Sequence, residues 1–395
     1  MFDLEGNSPL RCDFCNEVIL PLNAVAGSTS FICRKCASLI HSDTEKRSKL
    51  EKELKSEEGD YEVSLKKPME IRAELDKWVV GQEEAKRKIS VAIYHHYLRV
   101  KRGLPTQGKN NLLLIGPSGC GKTFLVQTMA KTIGLPLYIG DATTLTEAGY
   151  VGQDVESILK GLLNAAGGNP NYARKGIIYL DEIDKIAERL SPSTGRDVGG
   201  GGVQEALLKM IEGKVCTFPT SSGSHVTLDT SEILFIFGGA FSDLTRFCTI
   251  EKKNTIGFGQ DISFVKETLY DDIVHSIGPK ELKKYGLKPE FVGRVPVVVH
   301  FKSLTKDELC KILTDVNDSV IKMVKEIFLA DNITVEIPQE TIEAIAEEAM
   351  NTQNGARGLR VITEESLFNC FYSYPGSEIK RFVFTKDMVK NHGGG

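Results

Sequence analysis

The octapeptide GPSGCGKT (116–123) follows the apolar run NLLLIG (111–116) and precedes FLVQTMAKTIG (124–134). A buried strand that breaks into glycines and restarts as a helix forms a cradle for phosphate groups. Gly116, Gly119 and Gly121, with Pro117, Ser118 and Cys120 between them, let backbone N–H groups wrap phosphate oxygens. The helix N-terminus adds partial positive charge there. Lys122 is placed to bridge β- and γ-phosphates, and Thr123 to offer a hydroxyl to Mg²⁺. Such a loop works at the C-terminal end of a parallel strand, so it constrains the fold to an α/β class with a mainly parallel sheet.

The second half of a nucleotide site lies in GIIYLDEIDK (176–185). Its apolar run predicts a strand that delivers Asp181 and Glu182 at its C-terminal end. Asp181 is placed to hold Mg²⁺ through water and Glu182 to polarise an attacking water. Together the two motifs predict ATP binding and hydrolysis. EILFIF (232–237) predicts a third buried strand. VQEALLKMIEG (203–213) carries Val203, Ala206, Leu207, Met210 and Ile211 on one helical face.

Texture divides the 395 residues into four parts. Residues 1–42 hold Cys12, Cys15, Cys33 and Cys36 as C-x2-C-x17-C-x2-C, a spacing suited to a closed four-thiolate zinc site. So short a segment has little core of its own, and metal would supply much of its stability. His41 reads as a surface residue. Residues 43–66 are dense in charge and poor in apolar side chains, the composition of a linker. Residues 67–301 alternate strand and helix patterns, as a three-layer α/β/α domain does. Residues 302–395 read as a smaller, mostly helical domain around a single alternating strand, ITVEI (333–337).

A formal net charge of −4 gives no general reason to expect nucleic acid as a partner. MFDLEGNSPL lacks the basic and apolar regions of a secretory leader, and no apolar run approaches the roughly 20 residues of a membrane span. Five further cysteines are scattered, which fits a reducing compartment. The expectation is a cytoplasmic protein without membrane contact.

EAGYVGQDV (147–155) presents Tyr150 and Val151 between Gly149 and Gly152. An aromatic on so loose a mount can pack on any extended chain without reading its sequence. In NTIGFG (254–259), Ile256, Gly257 and Phe258 form an apolar tip that needs a receiver. With VVGQEEAK (79–86), DATTLTEAGYVGQDVE (141–156), RDVGGGGVQEALLKMIEG (196–213), PEFVGRVPVV (289–298) and GARGLR (355–360), these stretches occur in an order that resembles the ClpX family. That family comprises AAA+ unfoldases that feed the ClpP peptidase.

The resemblance implies a homohexameric ring in which Tyr150 and Val151 grip a protein substrate in the axial channel. Arg196, Asp197 and Val198 would belong to a second channel loop flanked by the flexible glycines 199–202. Ile256, Gly257 and Phe258 would dock on a ClpP-type peptidase, and the zinc domain would receive substrates and adaptors. Arg294 would reach the nucleotide of the neighbouring subunit, Arg357 would sense it from its own, and Val79 and Val80 would wall the adenine. ATP, Mg²⁺ and structural Zn²⁺ are the implied cofactors. Residues 220–227, TSSGSHVT, lack the Arg and Lys of the family's channel-entrance loop, leaving only His225. The stretch from Gln260 to Ser276 also departs from the family pattern, and ILFIFGG (233–239) offers no polar sensor residue. The rival readings are an AAA+ nucleic-acid motor or clamp loader with a zinc finger, and a module that uses nucleotide only as a switch.

Overall fold

Five runs build the central sheet: β1 (Leu112–Ile115), β2 (Leu137–Asp141), β3 (Ile177–Asp181), β4 (Leu234–Gly239) and β5 (Val297–His300). Every pairing is parallel, in the order β5-β1-β4-β3-β2. The computed structural model describes residues 11–12, 17–18, 24–26, 31–34, 36, 65–104, 109–146, 153–187, 200–219, 225–242, 277–352 and 354–389. They fall into two compact units, Met1–Tyr61 and Glu62–Gly395.

β1, β3 and β4 lie where the three buried runs predict strands. β2 and β5 are additional, and both are sheet edges. β2 is at most half-buried, so it lacks the continuous apolar run that marks a central strand. Alternation along the strands loads the two faces. Leu113, Ile115, Ile178, Leu180, Phe235 and Phe237 pack with α4 (Ser157–Ala165), α5 (Gly200–Glu212) and α7 (Pro289–Arg294). Leu112, Leu114, Ile177, Tyr179, Leu234 and Ile236 pack with α1 (Pro68–Asp76), α2 (Glu83–Lys101) and α3 (Lys122–Ile133). A further helix, α6 (Pro279–Tyr285), adds Leu282 and Tyr285 to the first of these cores. The result is the expected three-layer α/β/α arrangement. Each fully buried Leu or Phe contributes roughly 1.5–3 kcal/mol.

The glycines before Val203 correct one expectation. Gly200, Gly201 and Gly202 are the first turn of α5, not a loose flank. A Cβ on Gly200 would lie 2.5 Å from the Ile186 carbonyl oxygen, so glycine here permits close packing.

The start of β1 is held by a buried lysine. Lys109 donates to the Thr230 carbonyl at 2.6 Å, and its ammonium stands 5.5 Å from the centre of the Phe235 ring. Burial pushes its pKa down to about 8. Nearby His96 donates from Nε2 to the Glu232 carbonyl at 3.0 Å, and burial pushes its pKa down to about 4, so it is neutral at pH 7. Both side chains fix loops at the end of the sheet opposite the phosphate loop.

Residues 306–384 gather a core of their own around Leu309, Leu313, Val324, Phe328, Ile345, Leu359, Leu367 and Phe384. Its helices are α8 (Lys306–Thr314), α9 (Val320–Ala330), α10 (Gln339–Asn351) and α11 (Ala356–Ser373). Thr334–Glu336 is not a solitary strand: it pairs in parallel with Arg381–Val383. RFV is too short to show a period, and only the pairing reveals it. Among the described residues no helix is long and apolar enough to cross a membrane.

Candidate functional site

The phosphate loop leaves β1 at Gly116 and enters α3 at Lys122. Gly119 and Gly121 have φ of +72° and +98°, values that L side chains rarely adopt. Gly116 has no room for a side chain, because a Cβ would sit 2.6 Å from that of Phe301. Lys122 is buried, and its ammonium donates to the Gly116 and Pro117 carbonyls at 2.7 and 2.9 Å. Cys120 Sγ lies 4.0 Å from the same nitrogen. Burial raises the Cys120 thiol above its ordinary pKa despite that neighbour, so it stays protonated.

β4 separates β1 from β3 in the sheet, yet the turns at their ends meet. Thr123 Oγ1 donates to Asp181 Oδ2 at 2.9 Å, and the backbone N–H of Glu182 donates to Asp181 Oδ1 at 3.0 Å. Hydroxyl and carboxylate oxygens held this close suit a hard cation such as Mg²⁺. Glu182 is exposed, and its φ of +56° puts its backbone in the left-handed region just beyond β3.

Tyr179 joins the site although no motif in the sequence marks it. Its hydroxyl lies 3.5 Å from Thr123 Oγ1, and burial, then the Asp181 charge, raises its pKa. The signal was present, since Tyr179 and Asp181 are two apart on a strand and share a face. Gly238 makes room for it, because a Cβ there would lie 2.1 Å from the Tyr179 hydroxyl.

The small-domain core meets the loop at a pair of glycines. Ala356, which opens α11, donates its backbone N–H to the Gly119 carbonyl at 3.1 Å. A Cβ on Gly119 would fall 2.1 Å from the Asn354 oxygen, and one on Gly355 would fall 2.9 Å from the Gly119 oxygen. Arg357 is the next residue and is exposed. Arg294 ends α7, where its carbonyl accepts from Asn111 Nδ2 at 2.9 Å. Its guanidinium pairs with Glu212 Oε1 through Nη2 at 2.9 Å and Nε at 3.1 Å. Val79 is packed into the core with Ile71 and Leu75, whereas Val80 is half-buried and keeps surface for a ligand.

In the Met1–Tyr61 unit, Ala24–Ala26 pairs antiparallel with Phe31–Cys33. The sulfurs of Cys12, Cys33 and Cys36 lie within 4.8 Å of one another and are buried. Cys12 Sγ accepts the Cys33 N–H at 3.3 Å, and Cys33 Sγ accepts the Cys36 N–H at 3.4 Å. Three sulfurs gathered this closely could hold a soft metal ion. Cys15 lies outside the described residues. So do Tyr150, Val151, Arg196, Asp197, Val198, Ile256, Gly257 and Phe258, as well as the stretch 260–276. His225 is exposed and opens the second strand of the hairpin Val215–Pro219/His225–Asp229.

Residues 107–298 match the AAA domain (Cdc48 subfamily), and residues 304–374 match the C-terminal, D2-small domain of ClpB protein. With the sheet order and the joined phosphate and acidic turns, this defines an AAA+ ATPase. The ATP-dependent Clp protease ATP-binding subunits ClpX of Borrelia duttonii (strain Ly) and Borrelia recurrentis (strain A1) are each 40% identical to the chain. Each alignment covers 96% of this chain and 91% of the relative. The chain belongs to the ClpX family.

Proposed function

We propose that the chain is a protein unfoldase that works as a homohexameric ring, driven by ATP, and delivers its substrates to a ClpP-type peptidase. The observation that carries this is the meeting of three elements at one loop. Thr123 and Asp181 join the phosphate loop to the acidic turn, and Ala356 joins it to the small-domain core. Chemistry at such a loop is felt by both cores.

Thr123 and Asp181 would hold Mg²⁺, which when bound neutralises charge on the β- and γ-phosphate oxygens. Lys122 exchanges its two carbonyl partners for phosphate oxygens. Glu182 orients water for in-line attack and takes its proton. Arg294 of a neighbouring subunit adds charge at the γ-phosphate, and Arg357 reports the nucleotide to its own small domain. Val80, with Val79 behind it, walls the adenine. The relatives' name, subunit of the Clp protease, supports the peptidase partner. Tyr150 and Val151 would grip the substrate, Arg196, Asp197 and Val198 would line the channel behind them, and Ile256, Gly257 and Phe258 would dock on the peptidase.

The test is degradation of a tagged, stable substrate by the chain with purified peptidase and ATP. Tyr150→Ala should abolish unfolding with and without peptidase. Phe258→Ala should abolish degradation while unfolding continues. Equal loss of both activities in Phe258→Ala would remove the docking role, and normal unfolding by Tyr150→Ala would remove the gripping role.

Cys12, Cys33 and Cys36, with Cys15, would hold zinc, which supplies on the order of 10 kcal/mol to the folding of such small units. Stripping the metal at neutral pH with a strong chelator should release one zinc per chain. It should also unfold the Met1–Tyr61 unit, seen as loss of its dispersed amide resonances, while ATP turnover persists. Retention of those resonances after complete metal removal would overturn the structural role.

A further inference from the structure

We propose that Gln82 is a positioning residue that ties the phosphate loop to the segment joining the two cores, so that nucleotide in the loop sets the angle of the small domain. The inference rests on the motor reading above and names the part that transmits the motion.

Gly81 and Gln82 are consecutive left-handed residues, with φ of +65° and +55°. Glycine takes such a conformation freely, but for Gln it costs roughly 1–2 kcal/mol. Gln82 occupies the N-cap position of α2 and makes no capping bond with its side chain. Its amide instead makes three bonds elsewhere. Nε2 donates to the Lys302 carbonyl at 2.8 Å and to the Cys120 carbonyl at 3.4 Å. Oε1 accepts the Lys302 N–H at 3.0 Å. Both amide hydrogens and the oxygen are therefore used, and the partners fix the orientation of the group, because a carbonyl can only accept.

The three partners sit at mechanically telling places. Cys120 is two residues before Lys122 in the phosphate loop. Lys302 is the second residue beyond β5, after Phe301, whose N–H is bound to the Ile115 carbonyl at 2.7 Å. Phe301 thus still belongs to the sheet, and the path to α8 begins at Lys302. Gly81 closes the connection on the other side, since a Cβ there would overlap the Glu308 carboxylate at 2.1 Å. Glu308 Oε2 accepts the Thr305 N–H at 2.9 Å in the capping box that starts α8. A shift of the Cys120 carbonyl as phosphate enters would be passed by one amide to Lys302, and by the adjoining Gly81 to the first turn of the small domain.

Two variants separate this role from plain support. Gln82→Glu keeps the shape and the acceptor, but sets a carboxylate oxygen against two carbonyls. Gln82→Gly removes the side chain and relieves the left-handed strain. In the full chain, distance labels go on exposed sites of α3 and α11, and ATP turnover is followed with and without an unfoldable protein substrate. For both variants we expect substrate stimulation of turnover to fall at least about fivefold, with KM for ATP changing far less. The change in label distance between ADP and ATP should be lost as well. Normal stimulation and a normal distance change in both variants would overturn the inference. So would equal losses of kcat and ATP affinity that track a lowered Tm, which is mere support. If the unsubstituted chain itself shows neither stimulation nor a distance change, the motor reading fails instead.

Discussion

Glu182→Gln is expected to slow ATP turnover by about 10²–10⁴-fold while ATP binding persists, the scale of a lost general base. The substitution is nearly isosteric, so it preserves the backbone N–H bond to Asp181 Oδ1 at 3.0 Å and with it the Thr123 contact. What it removes is the ability to accept a proton. Phosphate release at saturating ATP, set beside nucleotide binding on the same sample, measures both halves of the claim. Turnover close to that of the unsubstituted chain would take Glu182 out of the reaction. The φ of +56° offers an internal control. Glu182→Gly should also lose turnover, yet melt higher, because the left-handed backbone costs a residue with a Cβ roughly 1–2 kcal/mol.

Arg294→Ala should have an effect at least as large, a fall of about 10³ or more, on the scale that arginine fingers supply in GTPases. Its base is fixed and its tip is free to change partner. The Asn111 side chain holds the Arg294 carbonyl at 2.9 Å and accepts the Phe235 N–H of β4 at 3.3 Å, so the end of α7 is bound to the sheet. The Glu212 pair at the tip involves side chains 49% and 43% exposed, and contacts of that kind contribute under about 1 kcal/mol. Stability should hardly change. The decisive measurement mixes Arg294→Ala chains with Glu182→Gln chains, each inactive alone. If the arginine serves the adjacent subunit, the mixture regains turnover, since some sites then combine an intact Glu182 with an intact Arg294. No recovery across all ratios would place the arginine's action within its own chain.

What sequence could show here follows the range of the interactions. The phosphate loop and the acidic strand are legible because strand, turn and helix lie within a few residues, and each carries its own period. The Thr123–Asp181 contact is legible once both motifs are accepted. Gln82 is not, because its partner Lys302 is 220 positions away and nothing local distinguishes it from any polar residue at the start of a helix. Glu212 was invisible as the partner of Arg294 for the same reason. The helical Gly200–Gly202 mislead in sequence because glycine's permissiveness signals looseness, whereas at Gly200 the close approach of Ile186 requires a small residue. Val79 and Val80 look alike in sequence, and only packing separates them: Val79 joins the core with Ile71 and Leu75, whereas Val80 stays half-buried.

The two carbonyls that occupy Lys122 carry a consequence for the working cycle. An ammonium held by Gly116 and Pro117 keeps its charge, but its hydrogens already have partners. Docking of nucleotide becomes a swap of neutral carbonyl oxygens for charged phosphate oxygens, and on departure the carbonyls take the ammonium back, so neither direction strands a desolvated cation. A rotor that must discard its spent fuel many times per client gains from a latch that re-fastens to itself.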